Sequence, residues 1–315
     1  MNRHIDIVYT WVDDSQPGYR EDLEKHAVTE VDRNPNRTRD NLDLLKYSLR
    51  SIEHYIDWRG KIYLFTCRPQ RPHWLNTGNQ NVHVIHHDEV IDHRYLPTFN
   101  SFCIVSYLAQ LEGLSDPFLY IEDDMLFTAN TPLADFLAND QQIIIYPRLE
   151  RTTPAKRQHN DHQPPWNKAL SYSNYLLDKH YGEQNRYSIN RVPILIFREA
   201  WEKMVDTWQD AFEYTRQSRF RSLYNVAPEY LYPYSLHYEQ RAQFAGFHET
   251  YRKSFYVGLD NNLLLAKSGL YLLERIRPRF CCLNDNFGDV PNPCVEDAVR
   301  QYLEKKFPQK SSFEI

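Results

Sequence analysis

The run Phe118-Leu119-Tyr120-Ile121-Glu122-Asp123-Asp124-Met125-Leu126-Phe127 constrains this chain most, because three consecutive acids interrupt an otherwise apolar, β-branched and aromatic stretch. The apolar part predicts a buried strand. Adjacent carboxylates repel one another and are costly to desolvate, so they belong at a strand's exit, where a cation can neutralise them. Mg²⁺ or Mn²⁺ beside a diphosphate prefers such oxygen ligands. An acidic turn with no ligand is the competing reading of the same residues.

The neighbouring segments supply the frame. Ile5 to Val12 reads as a first strand that ends at Asp13-Asp14-Ser15, and Leu42, Leu45, Leu49, Ile52 and Ile56 recur at helical spacing behind Asp40 and Asn41, either able to cap the helix. Lys61–Thr66 and Val82–His86 read as further strands. Strand, helix and strand at these intervals predict an α/β fold with a mostly parallel sheet, and such sheets build nucleotide sites at strand carboxyl ends. Leu96 to Ser101 leads into a helix from Phe102 to Leu111, capped by Asn100 or Ser101. A helix start of this kind is also a ready anion site.

Three parts are expected: an α/β core over 1–147, an insertion or lid over 148–190, and the remainder of the core with a C-terminal helix over 191–315. In the insertion Arg148, Arg151, Lys156, Arg157 and Lys168 alternate with Trp166, Tyr172 and Tyr175, a mixture suited to a surface cover or to gripping a sugar phosphate. A strand is expected at Arg191–Phe197, one helix from Glu199 to Arg216, arginines at Arg219 and Arg221 suited to phosphate, a strand over Arg279–Asn286, and a helix from Val295 to Phe307. The segment from Gln309 to Ile315 is expected to fray. His86, His87 and His93 match no helix-borne metal pair and read as polar loop positions.

A net charge of −5 with no long basic run argues against a nucleic-acid partner. The residues from Met1 to Asp6 lack a signal-peptide core, and no stretch approaches the roughly 20 apolar residues of a membrane span. A cytoplasmic location, or peripheral association at the inner face of a membrane, is therefore expected. The five cysteines, an odd count with Cys281 and Cys282 adjacent, predict free buried thiols rather than a disulfide framework.

In order along the chain, Ile5–Asp13, Arg39-Asp40-Asn41, Lys46–Glu53, Trp74-Leu75-Asn76, Leu96–Ser101, Asp123-Asp124, Val192-Pro193, Arg219-Phe220-Arg221 and Cys282-Leu283-Asn284-Asp285 resemble the conserved blocks of the Stealth family of hexose-1-phosphate transferases. The resemblance implies a Rossmann-like core similar to GT-A glycosyltransferases, with a largely helical or loop insertion. It also implies transfer of a sugar-1-phosphate from a nucleotide-sugar, commonly a UDP-sugar, to a hydroxyl of a glycan acceptor. It places Asp123, Asp124 and Asp285 at Mg²⁺ or Mn²⁺, with Asp124, Asp285 and Arg221 at the reacting phosphate. Tyr9, Thr10, Trp11, Asp13, Arg39, Asp40 and Asn41 then line the nucleotide side, Asn100 and Ser101 hold the sugar phosphate, and Asn284 and Arg191 contact substrate.

Three positions depart from the family pattern. Arg191 stands where the family has a His proposed as general base, Val105 where it has an acid, and Glu122 where it has Asn. An Arg does not accept a proton at neutral pH, which leaves Asp285, His162, His237 or His248 as possible bases. A glycosyltransferase releasing UDP and a non-catalytic glycan- or nucleotide-binding protein are the alternatives.

Overall fold

A computed structural model of the chain describes residues 4–139, 142–157 and 162–315. Residues 1–3 of the amino-terminal stretch and 158–161 of the expected insertion lie outside the described residues. The elements run β1 (Ile5–Thr10), α1 (Tyr19–His26), α2 (Leu44–Tyr55), β2 (Arg59–Thr66), β3 (Val82–His86), α3 (His87–Val90), α4 (Ser101–Ser106), β4 (Phe118–Glu122), β5 (Met125–Phe127), β6 (Leu137–Asn139), β7 (Gln142–Ile145) and β8 (Pro147–Arg151). They continue with α5 (Pro165–Tyr181), β9 (Tyr187–Ile189), β10 (Ile194–Ile196), α6 (Arg198–Thr207), α7 (Gln209–Gln217), α8 (Pro228–Tyr238), β11 (Ala242–Phe244), α9 (Phe247–Lys253), β12 (Ser254–Leu259), α10 (Leu263–Ile276), β13 (Phe280–Asp285) and α11 (Pro293–Lys306).

The main sheet has the order β10-β4-β1-β2-β3, parallel except for β10. Its central strands β1 and β4 are buried on both faces, which is why they read as nearly continuous apolar runs, whereas the edge strand β3 is only partly buried. The chain winds outward from β1 to β2 and β3, then returns to the other side of β1 with β4. The crevice beyond the carboxyl ends of β1 and β4 is therefore a topological switch point, where open α/β sheets bind ligands. The acidic run sits at that point, and it is not one strand. β4 ends at Glu122, Asp123 and Asp124 form a turn, and β5 joins a second sheet of order β12-β13-β5. The Leu283 amide donates to the Asp124 carbonyl at 2.9 Å, and β5 pairs antiparallel with β13.

Helix α2 fixes this turn from behind. Leu45, Leu49 and Ile52 pack into the main core, while the Ser48 hydroxyl donates to the Met125 carbonyl at 2.5 Å and Ser51 Oγ accepts the Phe127 amide at 2.9 Å. The N-cap of α2 is Asp43, not Asp40 or Asn41, and its side chain makes no cap bond, although Asp40 Oδ1 accepts the Leu44 amide at 3.0 Å.

Several local expectations change. The helix after Asn100 is short, because α4 stops at Ser106 and a 3₁₀ turn follows over Leu108–Gln110. The single helix over Glu199–Arg216 is two, broken at Trp208 (φ −118°, ψ 41°), whose ring packs against His180 and Tyr181. The segment expected as an insertion carries the 17-residue helix α5 and most of the antiparallel β8–β9 pair. The last residues do not fray. The Glu314 carboxylate is 3 % exposed and accepts two hydrogen bonds from the Arg50 guanidinium at 2.7 and 2.8 Å, and Phe313 is buried. Cys103, Cys281 and Cys282 are buried free thiols as expected, whereas Cys294 is exposed. No helix among the described residues is long and apolar enough to cross a membrane.

Candidate functional site

A cleft of about 910 Å³ opens at the switch point. Its walls include Thr10 and Trp11 after β1, Arg39, Asp40 and Asn41 before α2, and Ser101 at the start of α4. Glu122 ends β4 and Asp123 and Asp124 follow it, with Arg191 and Arg221 on loops and Asn284 and Asp285 at the end of β13. Segments more than 240 residues apart in sequence, Arg39 and Asp285, thus meet in one place.

The acids are differently supplied with cations. Asp124 is buried, and its Oδ2 accepts from Arg191 at 3.0 Å, with Asn284 Nδ2 and Cys282 Sγ each at 3.3 Å. The same Arg191 guanidinium donates to Glu122. Two departures from the family pattern are therefore in direct contact, and the added carboxylate at 122 is matched by the added cation at 191. Arg191 Nε is sealed from solvent and lacks a hydrogen-bond partner among the described residues. Asp123 has no ion pair among the described residues. Burial, then Asp124, Asp40 and Glu122, push its carboxyl well above the usual range.

Asp285 is engaged otherwise. Arg39 donates to both of its oxygens, at 2.8 to 3.0 Å, and both side chains are only about a tenth exposed. Of the three expected metal ligands, Asp123, Asp124 and Asp285, the last is thus already engaged by Arg39. No group of three or more His, Cys, Asp or Glu side chains is placed to hold a metal among the described residues. Asp123 with Asp124 does fit a divalent ion of the kind that uses one or two carboxylates and takes its remaining oxygens from phosphates and water. The mutual repulsion at Asp123 is the local sign of that fit.

Arg221 lies on the opposite wall. Its guanidinium donates to Ser101 Oγ (Nε at 3.1 Å) and sits 4.6 Å from the centre of the Phe102 ring. Phe102 in turn stacks on Trp166 of α5, with ring centres 5.6 Å apart. Segment 148–190 thus contributes a wall through Arg148, Arg151 and Trp166. Arg148 pairs with Glu150, and Arg151 lies over the Tyr187 ring at 3.6 Å. Lys156, Arg157, Lys168, Tyr172 and Tyr175 are not part of the cleft wall.

Three expected contact residues are placed elsewhere. Tyr9 is fully buried, and its hydroxyl meets Ser48 Oγ at 2.6 Å, so it braces the Ser48–Met125 link rather than facing a nucleotide. Asn100 is fully buried. Its Oδ1 caps α4 at the Phe102 amide, and its Nδ2 lies within 3.2 Å of the Thr215 and Ser218 carbonyls and Asn225 Oδ1, leaving nothing for a sugar. The Asp13 carboxylate accepts from Ser15 and is absent from the cleft wall. Thr10 Oγ1 meets Tyr120 OH at 3.0 Å, Trp11 Nε1 donates to Asp40 Oδ2 at 2.7 Å, and Asn41 donates to Glu296. Burial, opposed by the Trp11 hydrogen bond, raises the Asp40 carboxyl to about 7. Val105 is 1 % exposed in the core face of α4, where an acid has no solvent.

None of the imidazoles expected as possible bases lines the cleft: His162 and His248 are exposed and His237 lies on α8. His87, expected in a loop, is a buried wall residue at the start of α3, and burial lowers its pKa to about 3. Glu229, in the first turn of α8, also lines the cleft. It follows Ala227-Pro228 and precedes a Tyr-rich run, a context that gives no sign of an exposed chemical role.

These features define an open, mostly parallel α/β protein with a cleft of acids and arginines at its switch point, an arrangement suited to phosphate esters. Three models of one family match the chain: Stealth protein conserved region 1 at residues 3–25, conserved region 2 at 37–145 and conserved region 4 at 272–315. The chain belongs to the Stealth family. An exopolysaccharide phosphotransferase of Streptomyces coelicolor is 30 % identical over 98 % of this chain and 52 % of the relative. The capsular polysaccharide phosphotransferase SacB of Neisseria meningitidis serogroup A is 28 % identical over 99 % and 57 %. The exopolysaccharide phosphotransferase cps2G of Lactiplantibacillus plantarum is 27 % identical over 98 % and 96 %. The chain spans about half the length of several of the curated relatives it matches. Among solved structures, galactosyltransferase LgtC in complex with donor and acceptor sugar analogues aligns over 98 % of both chains, at 12 % identity and a TM-score of 0.47.

Proposed function

We propose that the chain transfers a sugar-1-phosphate from a nucleotide-sugar, a UDP-sugar in the simplest case, to a hydroxyl of a glycan acceptor, forming a phosphodiester and releasing the nucleoside monophosphate. The observation that carries this reading is the convergence of Asp123 and Asp124 with Arg39, Arg191 and Arg221 in one cleft at the switch point. Phosphoryl transfer needs positioning and charge neutralisation more than covalent help from the protein. The relatives' names, exopolysaccharide and capsular polysaccharide phosphotransferase, support it.

In this reading Trp11, Asp40 and Asn41 border the nucleotide, and Arg221, oriented by Ser101 and Phe102, faces the transferred phosphate. Arg191 keeps Glu122 and Asp124 from repelling that phosphate. Asp123 and Asp124 hold Mg²⁺ or Mn²⁺, which when bound offsets the charge of the diphosphate. The work is done at the cytoplasmic face of the membrane, where nucleotide-sugars meet the polysaccharide-synthesis machinery. The test is incubation with UDP-sugars, Mg²⁺ and a glycan acceptor, followed by mass spectrometry of products. UMP with a phosphodiester is expected, and UDP as the by-product would refute the reading.

A second reading, a non-catalytic nucleotide-sugar-binding protein, is favoured by one observation: Arg191 already occupies the acids at 122 and 124. Saturable UDP-sugar binding without UMP release across a donor panel supports that alternative.

A further inference from the structure

Attack by a hydroxyl on phosphorus leaves a proton to be accepted, and most polar groups of the cleft are already committed. Both Asp285 oxygens accept from Arg39, and the Asp40 oxygens accept from Trp11 and Leu44. Asp124 is held by Arg191, and His87 packs edge-on against Phe65, too weak a base at neutral pH. Glu229 differs. Its Oε2 is sealed from bulk solvent and has no hydrogen-bond partner among the described residues, although the side chain lines the cleft. A buried atom left unmatched calls for an explanation such as a water, an ion or a catalytic role, and among the unmatched cleft atoms, His87 Nε2 and Arg191 Nε included, Glu229 Oε2 is the carboxylate oxygen.

The shell that carries Glu229 is rigid. The Val226 amide donates to Thr215 Oγ1 at 2.9 Å, the Ala227 amide to Ser173 Oγ at 3.0 Å, and the Tyr230 hydroxyl to Asn174 Oδ1 at 2.9 Å, while Pro228 starts α8. The charged and titratable groups acting on Glu229 are Glu122 and Tyr120 from β4, with Arg191 and Arg221 from the loops. It therefore stands near Arg221, assigned above to the transferred phosphate, and Arg191, assigned above to Glu122 and Asp124.

Building on the phosphotransfer reading, we propose that Glu229 accepts the proton of the attacking acceptor hydroxyl. The acceptor oxygen forms its bond to the sugar-bearing phosphorus as the bond from that phosphorus to the bridging oxygen breaks. The electron pair of the broken bond leaves with the nucleoside monophosphate, and the hydroxyl proton passes to Glu229 Oε2 and later to solvent. Burial, and then the charge of Glu122, raise the Glu229 carboxyl to about 7, which suits a base working at neutral pH.

The test compares wild type with Glu229→Gln and Glu229→Asp in UMP release from a UDP-sugar, Mg²⁺ and a glycan acceptor, with UDP binding measured by calorimetry. Glu229→Gln is expected to lose about 100- to 10,000-fold in kcat, the range for a general base, and to lose the acidic limb of the pH profile. UDP affinity should stay within about threefold of wild type, because uniform ground-state binding is untouched. If the Gln variant does not fold, Glu229→Asp decides: a slowed rate that keeps the acidic limb supports the role, and a wild-type rate overturns it. Unchanged kcat in Glu229→Gln, or a loss of UDP binding that matches the loss of rate, also overturns it. Wild type that releases UDP, or nothing, overturns the phosphotransfer reading and this role with it. UMP release that survives Glu229→Gln overturns only the role of Glu229.

Discussion

At the residue scale, the cleft is shaped by which acid has a cation and which does not. Arg39 and Asp285 are each about a tenth exposed and doubly hydrogen-bonded, so removing one strands the other in a poorly solvated site. Arg39→Ala and Asp285→Ala are each expected to cost about 3–5 kcal/mol in urea unfolding. The double variant should cost clearly less than the sum, because it leaves no orphaned charge. Additive losses would show that the pair is not the strut described above. Loss of turnover in Asp285→Ala is then read together with its stability, since the same carboxylate anchors the end of β13.

At the element scale, α4 and the 215–225 segment are tied by one side chain. Asn100 caps α4 and also ties down the Thr215 and Ser218 carbonyls and Asn225, just before the loop that presents Arg221 to Ser101. Asn100→Ala is expected to lower stability by about 2 kcal/mol, combining a lost cap with buried carbonyls left unmatched. Donor KM should rise with it, because Arg221 loses its fixed approach. Steady-state kinetics that leave KM unchanged in a measurably destabilised variant would break this link.

At the scale of the whole molecule, the cleft stores buried acid that works against folding at high pH. Glu229 moves from an ordinary value of 4.5 to about 7 and Asp40 from 3.8 to about 7, both chiefly through burial. A folded-state pKa above the unfolded one means that the native state binds more protons between about pH 4 and pH 7, so stability falls as pH rises through that window. Glu229→Gln removes its share of this slope. Its melting temperature should match wild type near pH 4 and exceed it at pH 8, where the relief is about 3 kcal/mol. Parallel curves for the two proteins would contradict the buried, ionisable state of Glu229.

Much of the frame was legible in the chain. Nearly continuous apolar runs flanked by polar turns gave β1, β2 and β4 because strands buried on both faces need such runs, the partly buried edge strand β3 showed as Val82, Val84 and Ile85, and Leu45, Leu49 and Ile52 gave α2 because one face packs on the sheet. Helix α5 was not legible, since its buried face includes Ala169, Ser171, Ser173 and Asn174, which carry no hydrophobic period. Helix α8 was hidden by the opposite cause: Tyr230 to Leu236 is buried nearly all round and contains Pro233. The acids at 122–124 and the ordered family blocks were local signals, so the sequence by itself determined the α/β class, the family resemblance and most of the charged residues that line the cleft. Which oxygen is paired and which is left open depends on partners far apart in the chain. Only the tertiary structure decided that Arg39 takes Asp285, that Arg191 takes Glu122 and Asp124, that Tyr9 and Asn100 face the core, and that Glu229 stands unmatched beside the arginines. Charge pairing falls steeply with distance and with access to water, and both are properties of the packed fold rather than of any segment.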